Sequence, residues 1–225
     1  MSRSAVTVVV AALAAATWWK AFGSVGHAVG EATPAAWTHA LYVLLRAVIV
    51  STFAAMIAVR PRSRRPSRDP VAFVACAAAI GAVVSLETPA TRAVPVHVLA
   101  GEVVAVCACA WLLASVAALG RCFGVLPEVR GLVVRGPYRL VRHPVYLGEL
   151  GACAGLVLAS PSARNVAAGL AFGAAQIVRI RLEEHALGAE FPEYAAYAAR
   201  TPMLLPRLPV SFRGRAPLEP AEGPS

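Results

Sequence analysis

Charge is scarce in this sequence. Of its 225 residues, 15% are Asp, Glu, Lys or Arg, against about 25% in soluble globular chains. Apolar residues make up 58%, where about 45–50% is usual, and the mean hydropathy is +0.65. So little charge cannot cover a water-facing surface, which excludes a cytosolic enzyme, and so much apolar content excludes a disordered chain. Lysine is almost missing: Lys20 is the only one, so 20 of the 21 basic residues are arginine. The formal charge of +9 therefore invites a nucleic-acid reading, but such binding needs an accessible basic face. The arginines instead fall in short stretches between apolar runs, at Arg60, Arg62, Arg64, Arg65 and Arg68, and again over 121–142. Nucleic acid is excluded as a partner. Cysteine is present five times without a C-x-x-C pair, so neither a zinc site nor a disulfide framework is supported. Cys107 and Cys109 would point about 200° apart around a helix. They read as small buried hydrophobes.

What the chain has is long apolar runs. Spanning a bilayer takes about 20 mostly apolar residues. Runs over 5–22, 35–59, 71–86 and 94–119 qualify or nearly do, and the first ends in Trp18, Trp19 and Lys20 as interfacial anchors. Its short polar start and the lack of a clear small-residue cleavage site favour a retained span over a signal peptide. A polar connector follows to Arg142, then two shorter runs over 144–159 and 163–178, joined by Ser160-Pro161-Ser162. The fold class is all-α, a polytopic membrane bundle of about six apolar segments with the last two as a helical hairpin. A polar, proline-bearing tail is expected from Arg179 onward.

Orientation follows from the arginines. Placing 60–69, 120–142 and the C-terminal tail on one side leaves only Lys20, Arg92 and Arg164 opposite. The positive-inside rule then makes both termini cytoplasmic. Gly151 with Gly155, and Gly169 with Gly173, give each hairpin arm a small-xxx-small seam for close backbone packing. Arg46 and Glu102 sit inside spans at similar depth, and buried charges of this kind find partners. The two are expected to pair as a structural element.

The chemistry-bearing stretch is Gly136-Pro137-Tyr138-Arg139-Leu140-Val141-Arg142-His143-Pro144-Val145-Tyr146-Leu147-Gly148. Pro144 is where a helix entering the membrane would start, which puts His143 at its cap. The first turn exposes N–H groups and the positive end of the dipole, which attract a carboxylate or phosphate. Arg139 and Arg142 add positive charge, and Tyr138 and Tyr146 add aromatic faces. A ligand that is anionic and partly flat suits such a place. The second constellation is Arg179-x-Arg181-x-Glu183-Glu184. Two carboxylates at a helix C-terminus oppose its dipole by about 0.3–1 kcal/mol each, unless the helix continues past them. Arg179 and Glu183 stand four apart, so an ordinary surface pair worth about 0.2–0.5 kcal/mol is the plain alternative.

Gly-x-Tyr-x-x-x-Arg-His-Pro-x-Tyr-x-Gly, a hairpin, Arg-x-x-x-Glu-Glu and a tail of spaced tyrosines together resemble the isoprenylcysteine carboxyl methyltransferase family. Phospholipid N-methyltransferases share parts of the pattern. The resemblance covers roughly 121–207, and the first three spans carry no motif of it. It implies S-adenosyl-L-methionine bound at the cytoplasmic membrane face and a lipophilic or prenylated acceptor, or a membrane lipid, reached from the bilayer. Carried over residue by residue, it implies that Tyr138, His143, Pro144 and Tyr146 line the cofactor pocket, with Arg130, Gly131, Leu132 and Val133 beside it. Glu183 would contact the cofactor. Arg179 would face the acceptor and Glu184 would be the candidate base where one is needed. The family's Phe-Gly before the final tyrosines reads Phe191-Pro192 here, and Tyr194 falls one residue early, so the two tyrosines of that tail are not carried over. On this reading 1–119 holds the N-terminal helices, 120–210 the methyltransferase-like region and 211–225 a flexible tail.

The residues suit that chemistry independently. A carboxylate such as Glu183 matches the ammonium of the cofactor, and a helix start with arginines matches its carboxylate. Methyl transfer is an in-line displacement for which the protein supplies alignment and desolvation. A carboxylate acceptor needs no base, whereas an amine or thiol must lose a proton, with His143 or Glu184 at hand. Two other readings remain. Membrane sterol or steroid reductases using NADPH look similar around Arg-His-Pro-x-Tyr, but carry an Arg-Asp and a Lys-Tyr-Gly-type C-terminal pattern where Glu183-Glu184 stand here. A small transporter would use Arg46 and Glu102, and leaves the His-Pro and Glu-Glu motifs without a role. Arginine replacing lysine and abundant alanine point to a GC-rich genome and a bacterial plasma membrane. No metal site and no oligomeric state is read from the sequence.

Overall fold

The computed structural model describes residues 3–58, 70–87, 94–119 and 132–206. The arginine cluster of 60–69, Arg92, Cys122, Arg130, Gly131 and the tail of 211–225 lie outside the described residues. Among the described residues the chain is all-α. Its helices are α1 (Arg3–Glu31), α2 (Pro34–Ala58), α3 (Pro70–Val84), α4 (Val96–Leu119), α5 (Pro144–Ala159), α6 (Ala163–Glu190) and α7 (Tyr194–Arg200), with a 3-10 turn at Gly136–Arg139.

Local chemistry sets the boundaries. Proline opens α2, α3 and α5, where a missing N–H is harmless and φ is already helical. The Ser162 hydroxyl caps α6 by accepting from Asn165 N at 3.1 Å. Among the described residues two helices, α2 over Pro34–Thr52 and α4, are long and apolar enough to cross a membrane, while α3 and α5 are apolar but only 15 and 16 residues long. At 1.5 Å per residue those two cover only about 22–24 Å. Valines and leucines such as Val103, Leu113 and Leu170 face outward, as expected of helices solvated by lipid. The architecture is all-α and consistent with a membrane helical protein.

Two helices run further than their apolar runs. α1 continues to Glu31, so Lys20 lies well within it rather than at its end. α6 continues through Glu190, so no polar tail starts at Arg179 and Glu183-Glu184 sit mid-helix, where the dipole penalty does not apply. A charged residue ends an apolar run without ending a helix.

α4 lies along α5, α1 along α2, and α3 against α6. Tyr42, Ile49, Leu112, Leu156 and Phe172 are fully buried where α2, α4, α5 and α6 meet. The close seam joins α4 and α5. A Cβ at Gly101 would stand 2.4 Å from Ala159 N, and one at Gly155 would stand 2.5 Å from Ala105 N. The hairpin seam expected between Gly151, Gly155, Gly169 and Gly173 holds only at Gly169, where a Cβ would stand 3.0 Å from Val157 of α5: Gly151 and Gly155 face α4, and a Cβ at Gly173 meets nothing within 4 Å.

Arg46 and Glu102 do not pair. Arg46 Nη1 donates to Leu86 O at 2.5 Å, beyond the last turn of α3. Glu102 instead faces an apolar pocket lined by Trp37, Ala40, Leu41 and Leu44, and its Oε1 has no partner. The two residues share a depth but not a direction. Arg46 belongs to the stripe of His39 and Val43, on the opposite side of α2 from Trp37 and Leu44.

Candidate active site

The start of α5, the end of α6 and α7 meet at one end of the bundle, tied by a single carboxylate. Glu184 Oε1 lies 2.6 Å from His143 Nε2 and 2.9 Å from Arg142 Nε, and it accepts from the Tyr194 hydroxyl at 2.6 Å. Its Oε2 accepts from Arg142 Nη2 at 3.2 Å. Burial alone would raise this carboxyl, but the hydrogen bonds from His143, Tyr194 and Arg142 outweigh it and hold the group down at about 2. An ionised carboxylate can only accept, so the His143 proton facing it is on Nε2. Burial and the bond to Glu184 push the Tyr194 hydroxyl up.

Arg142 finishes the clamp. Its Nη1 donates to Ala198 O at 2.8 Å and to Thr201 O at 2.7 Å, capping the C-terminal end of α7, where a cation complements the dipole. The backbone N–H groups of Arg142 and His143 donate to Pro202 O and Met203 O at 2.8 and 3.1 Å. The Tyr197 hydroxyl donates to Tyr138 O at 2.6 Å, and burial pushes that hydroxyl up to about 12. From the other side, Trp111 of α4 donates from Nε1 to Pro144 O at 2.9 Å.

A second network lies deeper between α5 and α6. Arg179 is 1% exposed, and its Nη1 is 3.3 Å from Glu149 Oε2. Gln176 donates through Nε2 to the same oxygen and accepts from Arg179. The guanidinium lies 4.8 Å from the centre of the Tyr146 ring, within cation–π range. That ring also meets the His143 imidazole edge-on at 5.6 Å. Tyr146 thus joins the two networks.

Glu183 is different from its neighbour. It is half-buried, and its charge acts on Tyr138, Tyr146 and Arg179. Among the described residues no cation forms an ion pair with it. The structure therefore gathers Tyr138, His143, Pro144, Tyr146, Arg179, Glu183 and Glu184. Leu132 and Val133 are half-buried in the extended segment before the 3-10 turn. The carboxylate given to Arg179 is Glu149 rather than Glu183.

Sequence reasoning missed Glu149, Gln176, Trp111, the roles of Tyr194 and Tyr197, and the return of Pro202–Met203. Two of these had a signal. Glu149 is the one acidic residue in the apolar run 144–159, and Gln176 shares a helix face with Arg179 three residues on. An intramembrane ionisable group implies a partner. Nothing in the spacing tells that the chain beyond α7 comes back to the start of α5.

Residues 90–193 match the sequence profile of the phospholipid methyltransferase family, which suggests a membrane methyltransferase that uses S-adenosyl-L-methionine. Among curated proteins, the chain is 42% identical over 86 residues to the cobalt-zinc-cadmium resistance protein CzcN of Cupriavidus metallidurans, covering 38% of this chain and 39% of that one. It is 41% identical over 78 residues to the nickel-cobalt-cadmium resistance protein NccN of Alcaligenes xylosoxydans xylosoxydans, covering 34% and 37%. The chain thus spans well under half the length of these relatives. No solved structure matches.

Proposed function

We propose that this protein transfers a methyl group from S-adenosyl-L-methionine to a lipophilic acceptor at the cytoplasmic membrane face, with both termini on that side. The observation that carries the reading is the contrast within Glu183-Glu184. One carboxylate is saturated by Arg142, His143 and Tyr194, while the next forms no ion pair among the described residues and lies against Tyr146 and Tyr138. A carboxylate without an ion-pair partner, next to aromatic faces, fits a ligand bearing an ammonium and a sulfonium. Glu183, Tyr138 and Tyr146 would hold the cofactor, with His143, Pro144 and the segment Arg130, Gly131, Leu132 and Val133 around it. The bound cofactor supplies an electrophilic methyl group.

Glu184 serves as a positioning residue. It fixes the imidazole ring and the Arg142 guanidinium, and through them holds α7 over the start of α5. Arg179 is the acceptor-facing residue. We take the acceptor to be an isoprenylcysteine-like carboxylate, which needs no base and would share the guanidinium with Glu149. The relatives' names concern metal resistance. Among the described residues no three His, Cys, Asp or Glu are placed to hold a metal ion, so those names supply no separate reading here.

The test is transfer of label from methyl-tritiated S-adenosyl-L-methionine into the organic extract of membranes carrying the protein. Transfer lost in Glu183→Gln supports the reading. Label released by mild alkali as methanol identifies a methyl ester, and alkali-stable label identifies an amine or thiol acceptor. No transfer above the Glu183→Gln level, together with NADPH oxidation by the same membranes, assigns the protein to the reductases.

A further inference from the structure

At the opposite end of the bundle from Glu184, α1 and α2 outrun their neighbours. α3 has 15 residues where α1 has 29 and α2 has 25. Leu86, two residues past the end of α3, is level with Arg46, which sits 12 residues into α2 and bonds the Leu86 carbonyl. Beside that end, α1, α2 and residues 86–87 line a cleft of about 670 Å³.

The cleft carries two fixed cations. Lys20 and Arg46 line it together with the imidazoles of His27 and His39, and among the described lining residues Glu87 is the one carboxylate. That carboxylate is already matched, since Glu87 accepts from Arg164 Nη1 at 2.9 Å. His27 pairs with Glu31 at 3.2 Å. Among the described residues neither Lys20 nor Arg46 has a carboxylate partner. Arg46 is 8% exposed, spends one N–H on Leu86 and leaves its Nε buried without a partner. A largely buried guanidinium with no counter-charge is costly unless something anionic lies close to it.

We infer that this cleft is a second binding site, for a phosphate-type anion held by Arg46 and Lys20, on the face away from the methyl-transfer site. A guanidinium offers a planar donor pair suited to phosphate oxygens, and a lysine adds a mobile point charge. The phosphate can come from a lipid headgroup entering between α1 and α2 or from the aqueous phase.

The experiment is thermal unfolding of the detergent-purified full chain, titrated at constant ionic strength with inorganic phosphate and separately with short-chain phosphatidic acid against phosphatidylcholine. A saturable rise in midpoint with inorganic phosphate identifies a soluble anion. A rise with phosphatidic acid alone identifies a headgroup. In either case Arg46→Gln and Lys20→Gln should each weaken the apparent affinity at least tenfold. Arg46→Gln also removes the donor to Leu86 and can destabilise the fold by itself. Lys20 has no such structural partner among the described residues, so Lys20→Gln decides. No saturable response to either ligand, or an unchanged response in Lys20→Gln, overturns the proposal.

Discussion

Glu184 Oε1 and His143 Nε2 lie 2.6 Å apart across 41 residues of sequence, and this bond ties α6 to the first turn of α5. Contacts from Arg142, Tyr194 and the returning Pro202–Met203 segment surround it. The two adjacent glutamates therefore have separable effects. Glu184→Gln should cost about 2 kcal/mol of stability, since it removes a charged acceptor shared by three donors. Glu183→Gln should cost less than Glu184→Gln, because it breaks no ion pair among the described residues and keeps an oxygen that can accept from Tyr146. Chemical denaturation in detergent separates the two.

The pH dependence follows from the same group. The folded Glu184 carboxyl is held at about 2, below its ordinary 4.5, so its contribution is fully present above 4.5 and is lost as pH falls toward 2. The melting temperature should therefore show a Glu184-dependent loss beginning below pH 4.5. Glu184→Gln should lack that component of the acid slope, and an identical slope in both proteins would contradict the assignment.

Arg179 and Glu149 should behave as a coupled pair. Removing one partner leaves the other charge buried, which costs about 3–5 kcal/mol. Arg179→Met and Glu149→Met should each be strongly destabilising. The double variant should be milder than their sum by several kcal/mol, because apolar replacement of a whole buried pair is close to neutral. Additive losses in a double-mutant cycle would mean the two charges do not interact.

The α4–α5 seam gives a packing test. A methyl group at Gly101 or Gly155 would meet backbone atoms at 2.4–2.5 Å, which only a shift of a whole helix can relieve. Gly101→Ala and Gly155→Ala should each cost about 1–3 kcal/mol. Gly173→Ala, where nothing lies within 4 Å, should be neutral or slightly stabilising through its helix propensity.

Much of the fold was legible because hydropathy and proline mark the same boundaries. Pro144 and the Ser160-Pro161-Ser162 turn fixed α5 to the residue, and the helices entering the membrane at Pro34 and Pro70 began within a residue of expectation. Helix ends without a proline or a change of solvent were not legible, which is why α1 and α6 run on past their apolar runs. Direction around a helix was the other blind spot. Depth alone matches Arg46 with Glu102, and a repeat of four says which residues share a face but not what that face meets: Gly155 meets α4, whereas Gly169 does meet Val157 of α5. Within the site, the His-Pro, Tyr and Glu-Glu residues came from motif chemistry. Glu149 and Gln176 required the packing of α5 on α6 to be seen.

The most direct test is equilibrium binding of radiolabelled S-adenosyl-L-methionine to the detergent-purified protein, with NADPH in parallel and with Glu183→Gln and Tyr146→Phe alongside wild type. The methyl-transfer assignment predicts saturable binding that S-adenosyl-L-homocysteine competes away, and at least a tenfold loss in Glu183→Gln with its fold intact. Binding of NADPH without the sulfonium cofactor, or undiminished affinity in Glu183→Gln, would contradict it.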